Sequence, residues 1–308
     1  MNSIGSTKKL HLLISSFIVI SIFLFSPSPS QAFTEPNFGT AKKLTEGGIA
    51  SFPSVSGNIL TYLEVLDNEA MVGYVVIKNL ETSKSITLDI PCFMPSVDGD
   101  IVVFSCMEAL YMVDTSTLDW DNPGSPTSFL TEDDGINSMT PKIWDHYVLV
   151  DNFILDESDG PELTYFLYDL DEPYSVGVNP IVLDTVLTED SPPLFGVFED
   201  GVIAWGKSPN IKIYNLNDTT PEIQFFNVST GATALSVNQD YIAWSVSDND
   251  EIHYKTLSNL ESDPVEIEEV GMVLGPKLYE DSMTYMVVDI VDKSAELVYY
   301  DLSSNQRY

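Results

Sequence analysis

Residues 95–104, Pro95-Ser96-Val97-Asp98-Gly99-Asp100-Ile101-Val102-Val103-Phe104, hold a proline, a tight Asp-Gly turn and an apolar run that ends on a large aromatic side chain. The unit recurs along the chain. Its second half reads Gly57-Asn58-Ile59-Leu60-Thr61-Tyr62, then Asp145-His146-Tyr147-Val148-Leu149-Val150 and Asp200-Gly201-Val202-Ile203-Ala204-Trp205. Gln239-Asp240-Tyr241-Ile242-Ala243-Trp244 and Glu280-Asp281-Ser282-Met283-Thr284-Tyr285 complete six copies, spaced 39 to 55 residues apart. Nine residues before the terminal position stands Pro53, Pro95, Pro141 or Pro276, with Gly196 and Leu235 in the other two copies. β-Branched and aromatic runs bounded by Gly, Asp and Asn read as strands leaving turns. Self-similarity at this period marks a repeat architecture.

A second motif follows each first one, as in Leu110-Tyr111-Met112-Val113-Asp114, Phe166-Leu167-Tyr168-Asp169-Leu170 and Val298-Tyr299-Tyr300-Asp301-Leu302. A third element, Leu-Thr-Glu, stands at residues 44–46, 130–132 and 187–189. Each unit therefore offers about four short strands, and helical periodicity is absent after the N-terminal segment. Four strands per roughly 45 residues, repeated radially, predict an all-β, six-bladed propeller of four-stranded antiparallel blades. The chain ends just after the third-strand motif of the sixth unit, so Lys42-Lys43-Leu44-Thr45-Glu46 is expected to close the ring as an N-terminal outer strand.

The pattern Pro-x-x-x-Gly-Asp-x-Val-x-Phe, then Tyr-Asp-Leu, then Leu-Thr, resembles the repeats of TolB-like six-bladed β-propellers across residues 40–302. The Ser-Pro that precedes the Asp-Gly turn in typical members is missing, and Pro95-Ser96-Val97-Asp98-Gly99-Asp100 is the nearest copy. The resemblance implies the fold. Related propellers include interaction platforms and enzymes, and fold alone does not choose between them.

The N-terminus reads as an export signal. Lys8 and Lys9 precede an apolar run from Leu10 to Phe25, Ser26-Pro27-Ser28-Pro29 breaks it, and Ser30-Gln31-Ala32 places small residues at a cleavage site after Ala32. A run of 16 residues is short beside the roughly 20 that a bilayer core takes, although an uncleaved anchor is the alternative. The expected organisation is a signal peptide over 1–32 and one propeller domain over 33–308, exported to the periplasm or the medium, monomeric and without a membrane anchor after cleavage.

The chain carries 47 acidic residues against 13 basic ones, for a formal charge of −34. Nucleic acid is excluded as a partner, because phosphate binding needs clustered Lys and Arg. A basic protein or peptide partner, cations, or simple solubility account for such a charge. Two cysteines in an exported chain point to a disulfide, with two buried thiols as the alternative. Around a three-residue Asp98-Gly99-Asp100 connection, position i faces 198 − i, which sets Cys92 opposite Cys106.

No Gly-x-Ser-x-Gly elbow, His-Glu-x-x-His or phosphate loop is present. Catalytic residues are therefore not assigned, and no cofactor is expected. After the signal only His146 and His253 remain, in unrelated repeat positions. Calcium is weighed at Asp156 and Asp159, and at Asp248 and Asp250, because hard cations want closely spaced oxygens; both stretches lack a full calcium-loop pattern. Asn217 and Asn227 head glycosylation sequons. The connections from second to third strand, and from one blade to the next, are expected to share an acidic face bearing Glu64, Asp67, Glu69, Glu132, Asp133, Asp134, Asp156, Glu157, Asp159, Asp248, Asp250 and Glu251, with Lys207 and Lys293 among them. The longest such loop is read as Asp151 to Pro161, a site for an appended specificity element. The functional expectation is a non-enzymatic platform that binds a protein or peptide through this face. The alternative is a polysaccharide-acting enzyme or carbohydrate-binding propeller using channel-mouth carboxylates.

Overall fold

The structure, a computed structural model, describes residues 49–67, 72–106, 109–124, 127–130, 138–156, 160–171, 180–187, 194–207, 209–228, 231–246, 250–289 and 291–308. Blade 1 is β1 (Ile49–Ser56), β2 (Ile59–Asp67), β3 (Val72–Asn79) and the first half of β4 (Ser85–Asp98). The second half of β4 becomes the inner strand of blade 2, beside β5 (Ile101–Cys106), β6 (Ala109–Asp114) and β7 (Thr127–Leu130). Blade 3 is β8 (Ser138–Trp144), β9 (Tyr147–Asp156), β10 (Gly160–Asp169) and β11 (Ile181–Leu187). Blade 4 is β12 (Leu194–Glu199), β13 (Val202–Lys207), β14 (Asn210–Asn215) and β15 (Gln224–Asn227). Blade 5 is β16 (Ala232–Val237), β17 (Tyr241–Val246), β18 (Glu251–Thr256) and β19 (Val265–Glu268). Blade 6 is β20 (Met272–Tyr279), β21 (Ser282–Asp289), β22 (Ser294–Asp301) and β23 (Gln306–Arg307). All pairings are antiparallel and in chain order, so the predicted six-bladed propeller is the observed fold. Lys42–Glu46, expected to close the ring, lies outside the described residues. Among the described residues β23 supplies the fourth strand of blade 6, and Arg307, the only arginine of the chain, ties it down through Glu269 (3.0 Å) and Glu296 (3.1 Å).

Three of the four repeated prolines mark a bulge, and Pro141 pairs with Val150 just past a slip between Ser138 and Thr140. The register of the inner strand slips between Ser51 and Ser54, Phe93 and Ser96, Leu194 and Val197, and Leu274 and Lys277, each time across Pro53, Pro95, Gly196 or Pro276. Proline has no N–H to give the ladder, so it is tolerated where pairing is interrupted. Phe52 and Met94, just before two of these prolines, take up the kink with positive φ of 52° and 36°.

The Tyr-Asp-Leu motif also has a mechanical reason. The N–H that follows the third strand donates to a carbonyl of the turn between strands one and two in every blade: Leu80 to Asn58, Thr115 to Asp100, Leu170 to His146, Leu216 to Gly201, Leu257 to Asp240 and Leu302 to Asp281, all at 2.7–2.9 Å. The Asp or Asn before it caps the chain reversal, as when Asp114, Asp169 and Asp301 accept from the N–H groups of Ser116, Asp171 and Ser303. Such Asx turns hold a tight turn at little entropic cost.

Blades are joined by one apolar core per seam, for five seams between consecutive blades. The large residues that end the first motif fill these cores, with Phe104, Val150 and Trp205 fully buried and Trp244 and Tyr285 nearly so. Serines after the bulge lock adjacent inner strands. Ser54, Ser96 and Ser236 Oγ accept from the N–H groups of Val97 (3.1 Å), Ile143 (3.3 Å) and Leu278 (2.9 Å) in the next blade.

Cys92 and Cys106 form the expected disulfide, buried in the core between blades 1 and 2. The route to it differs from the sequence reading. Asp98 pairs directly with Ile101, leaving a two-residue turn, and the bulge before Ser96 restores the offset that sets Cys92 opposite Cys106. The bond closes a short loop, so removing it as Cys92→Ser/Cys106→Ser is expected to cost about 3 kcal/mol. Urea unfolding of the double variant beside the oxidised protein measures this, and an unchanged midpoint would contradict it.

The reading of Asp151 to Pro161 as a long loop is corrected. β9 and β10 pair continuously from Tyr147 opposite Asp169 to Asp156 opposite Gly160, which leaves only 157–159 as the connection. Asp151 and Asn152 look like loop residues because they are polar, yet they are buried in the middle of a strand.

Candidate functional site

Of the candidate calcium residues, Asp156 and Asp250 fall among the described residues. Asp156 is the last residue of β9, and Asp250 is exposed at the head of β18 with a φ of 50°. Asp159 and Asp248 lie outside the described residues, as do Glu69, Glu132, Asp133, Asp134 and Glu157 of the expected acidic face. Of that face, Glu64 is exposed on β2, while Glu251 is held by His253 Nε2 at 2.9 Å. His253 is 3% exposed and packs on the Trp244 ring, 5.6 Å between centroids, so it serves the core.

The opposite face, made by the turns between strands one and two and between three and four, is itself acidic. Much of that acidity does turn work, through the Asx caps. Asp301 shows the consequence: the Ser303 hydroxyl and the Ser304 N–H hold its carboxyl below the usual range. His146 stands in one such turn, with Asp145 Oδ2 2.8 Å from Nδ1 and Asp169 and Asp171 at 3.7 and 3.9 Å. Burial and then the charges of Asp169 and Asp145 push the neighbouring Tyr147 hydroxyl up. This corner follows the turn geometry of the other blades, and Asp169 already accepts from the Asp171 N–H.

A buried polar cluster lies between blades 3 and 4. Asp151 is fully buried; its Oδ2 accepts from Thr140 Oγ1 (2.7 Å), Lys142 Nζ (2.9 Å) and the Gly196 N–H (3.1 Å). Gly196 stands where four other copies have proline because of this carboxylate. A Cβ there would fall 2.9 Å from Asp151 Oδ1 and 2.8 Å from Leu149 Cδ2. Burial first, and then the charges of Asp151 and Asp184, push the Tyr165 hydroxyl far up, so it stays protonated and donates to the Leu194 carbonyl at 2.7 Å. The cluster is a structural clamp across the seam.

The concave surface of interest is at the outer end of the seam between blades 4 and 5. A cavity of about 740 Å³ opens there, within the range of about 300–1,000 Å³ typical of ligand sites. The sequence builds it by breaking its own repeat. Where other blades carry Asn79, Asp114, Asp169, Asn215 or Asp301 as the turn cap, blade 5 has Thr256, which makes no capping bond. The chain runs instead into a 3-10 turn, Leu257–Asn259, that walls the groove. Its floor is Phe226, Trp244, Leu257 and Leu260; the neighbouring Phe225, 73% exposed, pairs with Lys212 and points to the other side of blade 4, toward blade 3. Glu261, Asp263 and Glu266 form an acidic rim. Lys255 is 7% exposed in this setting, with Nζ donating to the Leu260 carbonyl at 2.8 Å and lying 5.1 Å from the Phe226 ring centroid. Burial lowers its proton affinity, against which Asp263 acts. A second cavity of about 360 Å³ shares Gln224, Leu257, Ser258 and Leu260 with the first and carries the groove toward Asp240 and Tyr241. Sequence reading missed this site. The signal was Lys255-Thr256 in place of Tyr-Asp in the fifth copy.

No family model and no curated protein matches the sequence. Solved structures do match. The β-propeller domain of the Trilobed protease from Pyrococcus furiosus, described with an open velcro topology, is 16% identical with a TM-score of 0.58, over 84% of this chain and 83% of that one. Pyrococcus horikoshii acylaminoacyl peptidase is 17% identical with a TM-score of 0.57, over 82% of this chain and 44% of that one. Kluyveromyces lactis Hsv2 is 11% identical with a TM-score of 0.54, over 82% of this chain and 73% of that one. At these identities the likeness establishes a β-propeller fold, and nothing about activity.

Proposed function

We propose that this protein is an exported, non-enzymatic propeller of the TolB-like repeat type that binds a protein or peptide partner through an acidic surface. The observation that carries the reading is the groove between blades 4 and 5, with its apolar floor and acidic rim; it is walled by the connection between strands three and four of blade 5, on the face opposite the one expected from the sequence. The described polar clusters support it from the other side. Asp151, His253 and Asp184 are each committed to pairs that hold strands together, and they do not converge on an open cavity. The segment from Leu10 to Phe25 with the site at Ala32 supports export, and the Cys92–Cys106 bond is consistent with an oxidising compartment. The polysaccharide alternative wants exposed aromatic rings at a channel mouth. Phe225 lies on the outer strand β15, whereas Tyr279, also well exposed, ends the inner strand β20.

Residues 33–308, immobilised, are to be tested in parallel against a displayed random-peptide library and a glycan array. Enrichment of peptides with net positive charge is the expected result. Retention of glycans without peptide enrichment would overturn the reading.

A further inference from the structure

Resting on that reading, we infer that the groove between blades 4 and 5 binds an extended peptide segment in which an apolar side chain is flanked by Lys or Arg. Three features of the groove assign one part each. The floor of Phe226, Trp244, Leu257 and Leu260 is continuous with the core of the seam, so an apolar side chain entering it extends a packed cluster rather than lying on a flat surface. Leu257 and Leu260 keep part of their surface in water there, so a side chain docked on them buries apolar area.

The rim sets the sign of the partner's charge. Glu261, Asp263 and Glu266 are exposed, and the described residues that line the cavity include one cation, Lys255. That cation is withdrawn beneath the rim, one of its three donors engaged by the Leu260 carbonyl. It is placed to donate to a main-chain carbonyl of the incoming segment, while the rim carboxylates meet the flanking basic side chains. A protein with 47 acidic residues repels most acidic ligands at long range, and the same field speeds the approach of a basic one. The adjoining cavity toward Asp240 and Tyr241 lengthens the groove along the seam, as an extended chain requires.

The occupant is a peptide segment of another protein. The test uses the mature protein and fluorescein-labelled peptides of about ten residues, one with Leu and Phe set among lysines and one with the lysines replaced by glutamates, followed by fluorescence anisotropy at low and high salt. Three proteins are compared: wild type, Phe225→Ser, and Glu261→Gln/Asp263→Asn/Glu266→Gln. All four substituted side chains are exposed, so folding is spared; matching thermal midpoints check this. The expected result is binding of the lysine peptide alone. Phe225→Ser, altered on the far side of blade 4, leaves binding unchanged, and the triple variant weakens it about tenfold and flattens its salt dependence. Equal binding to all three proteins would overturn the groove as the site and leave the platform reading standing, since the peptide would then dock elsewhere. Failure of the lysine peptide to bind, while the library still yields binders of other composition, would overturn the inferred chemistry alone. Dimerisation in sedimentation that the triple variant abolishes would also overturn it, by identifying a second copy of the chain as the occupant.

Discussion

Lys142→Met is expected to destabilise the protein by about 3–5 kcal/mol, the usual cost of leaving one partner of a buried ion pair alone. Asp151 has no exposed side-chain surface, and Lys142 Nζ at 2.9 Å is its only counter-charge among the described contacts. Thr140 and the Gly196 N–H would still donate to the carboxylate, but two neutral donors do not replace a cation in a dry seam. The variant should therefore unfold at markedly lower urea. Lys142→Met/Asp151→Asn removes the charge as well and should recover a large part of the loss. A loss below about 1 kcal/mol in the single variant, the level of a surface pair, would mean that the pair does not hold blades 3 and 4 together.

The second large effect is expected at Trp205. Its side chain is fully buried in the core between blades 3 and 4, against Tyr165 at 6.0 Å between ring centroids. Its Nε1–H donates to Asp184 Oδ2 (3.1 Å), an oxygen that also accepts from Lys212 Nζ (2.7 Å). Trp205→Ala removes a large core side chain and should cost about 3–5 kcal/mol. Trp205→Phe keeps much of the volume and loses the hydrogen bond, so a smaller cost of about 1–2 kcal/mol is expected. Urea unfolding of the two variants separates packing from hydrogen bonding. Equal losses would show that the indole N–H, rather than the volume, carries the effect.

These two positions also show what a single sequence can reveal. Trp205 was legible as core, because it ends a six-fold repeated apolar run, and a strand that repeats radially buries that position against its neighbour. Asp151 was not legible. A carboxylate in the middle of a strand reads as loop until the partner that neutralises it is known, and Lys142 lies nine residues away on a different strand. The candidate groove escaped for a related reason. Phe226, Lys255 and Glu261 belong to two blades, and only the seam brings them together.

By itself, then, the sequence determined the all-β class, the number of blades and the partnership of Cys92 with Cys106, though not the two-residue turn and bulge that bring the pair together. The first two depend on residues near one another in the chain, through strand period and turn chemistry. The bulges at Pro53, Pro95 and Pro276, the clamp at Asp151 and the acid-rimmed groove were decided only by the tertiary structure. They arise where one blade meets the next, and whether a polar residue there is a solvated loop, a buried counter-charge or the wall of a binding site depends on neighbours that are distant in sequence.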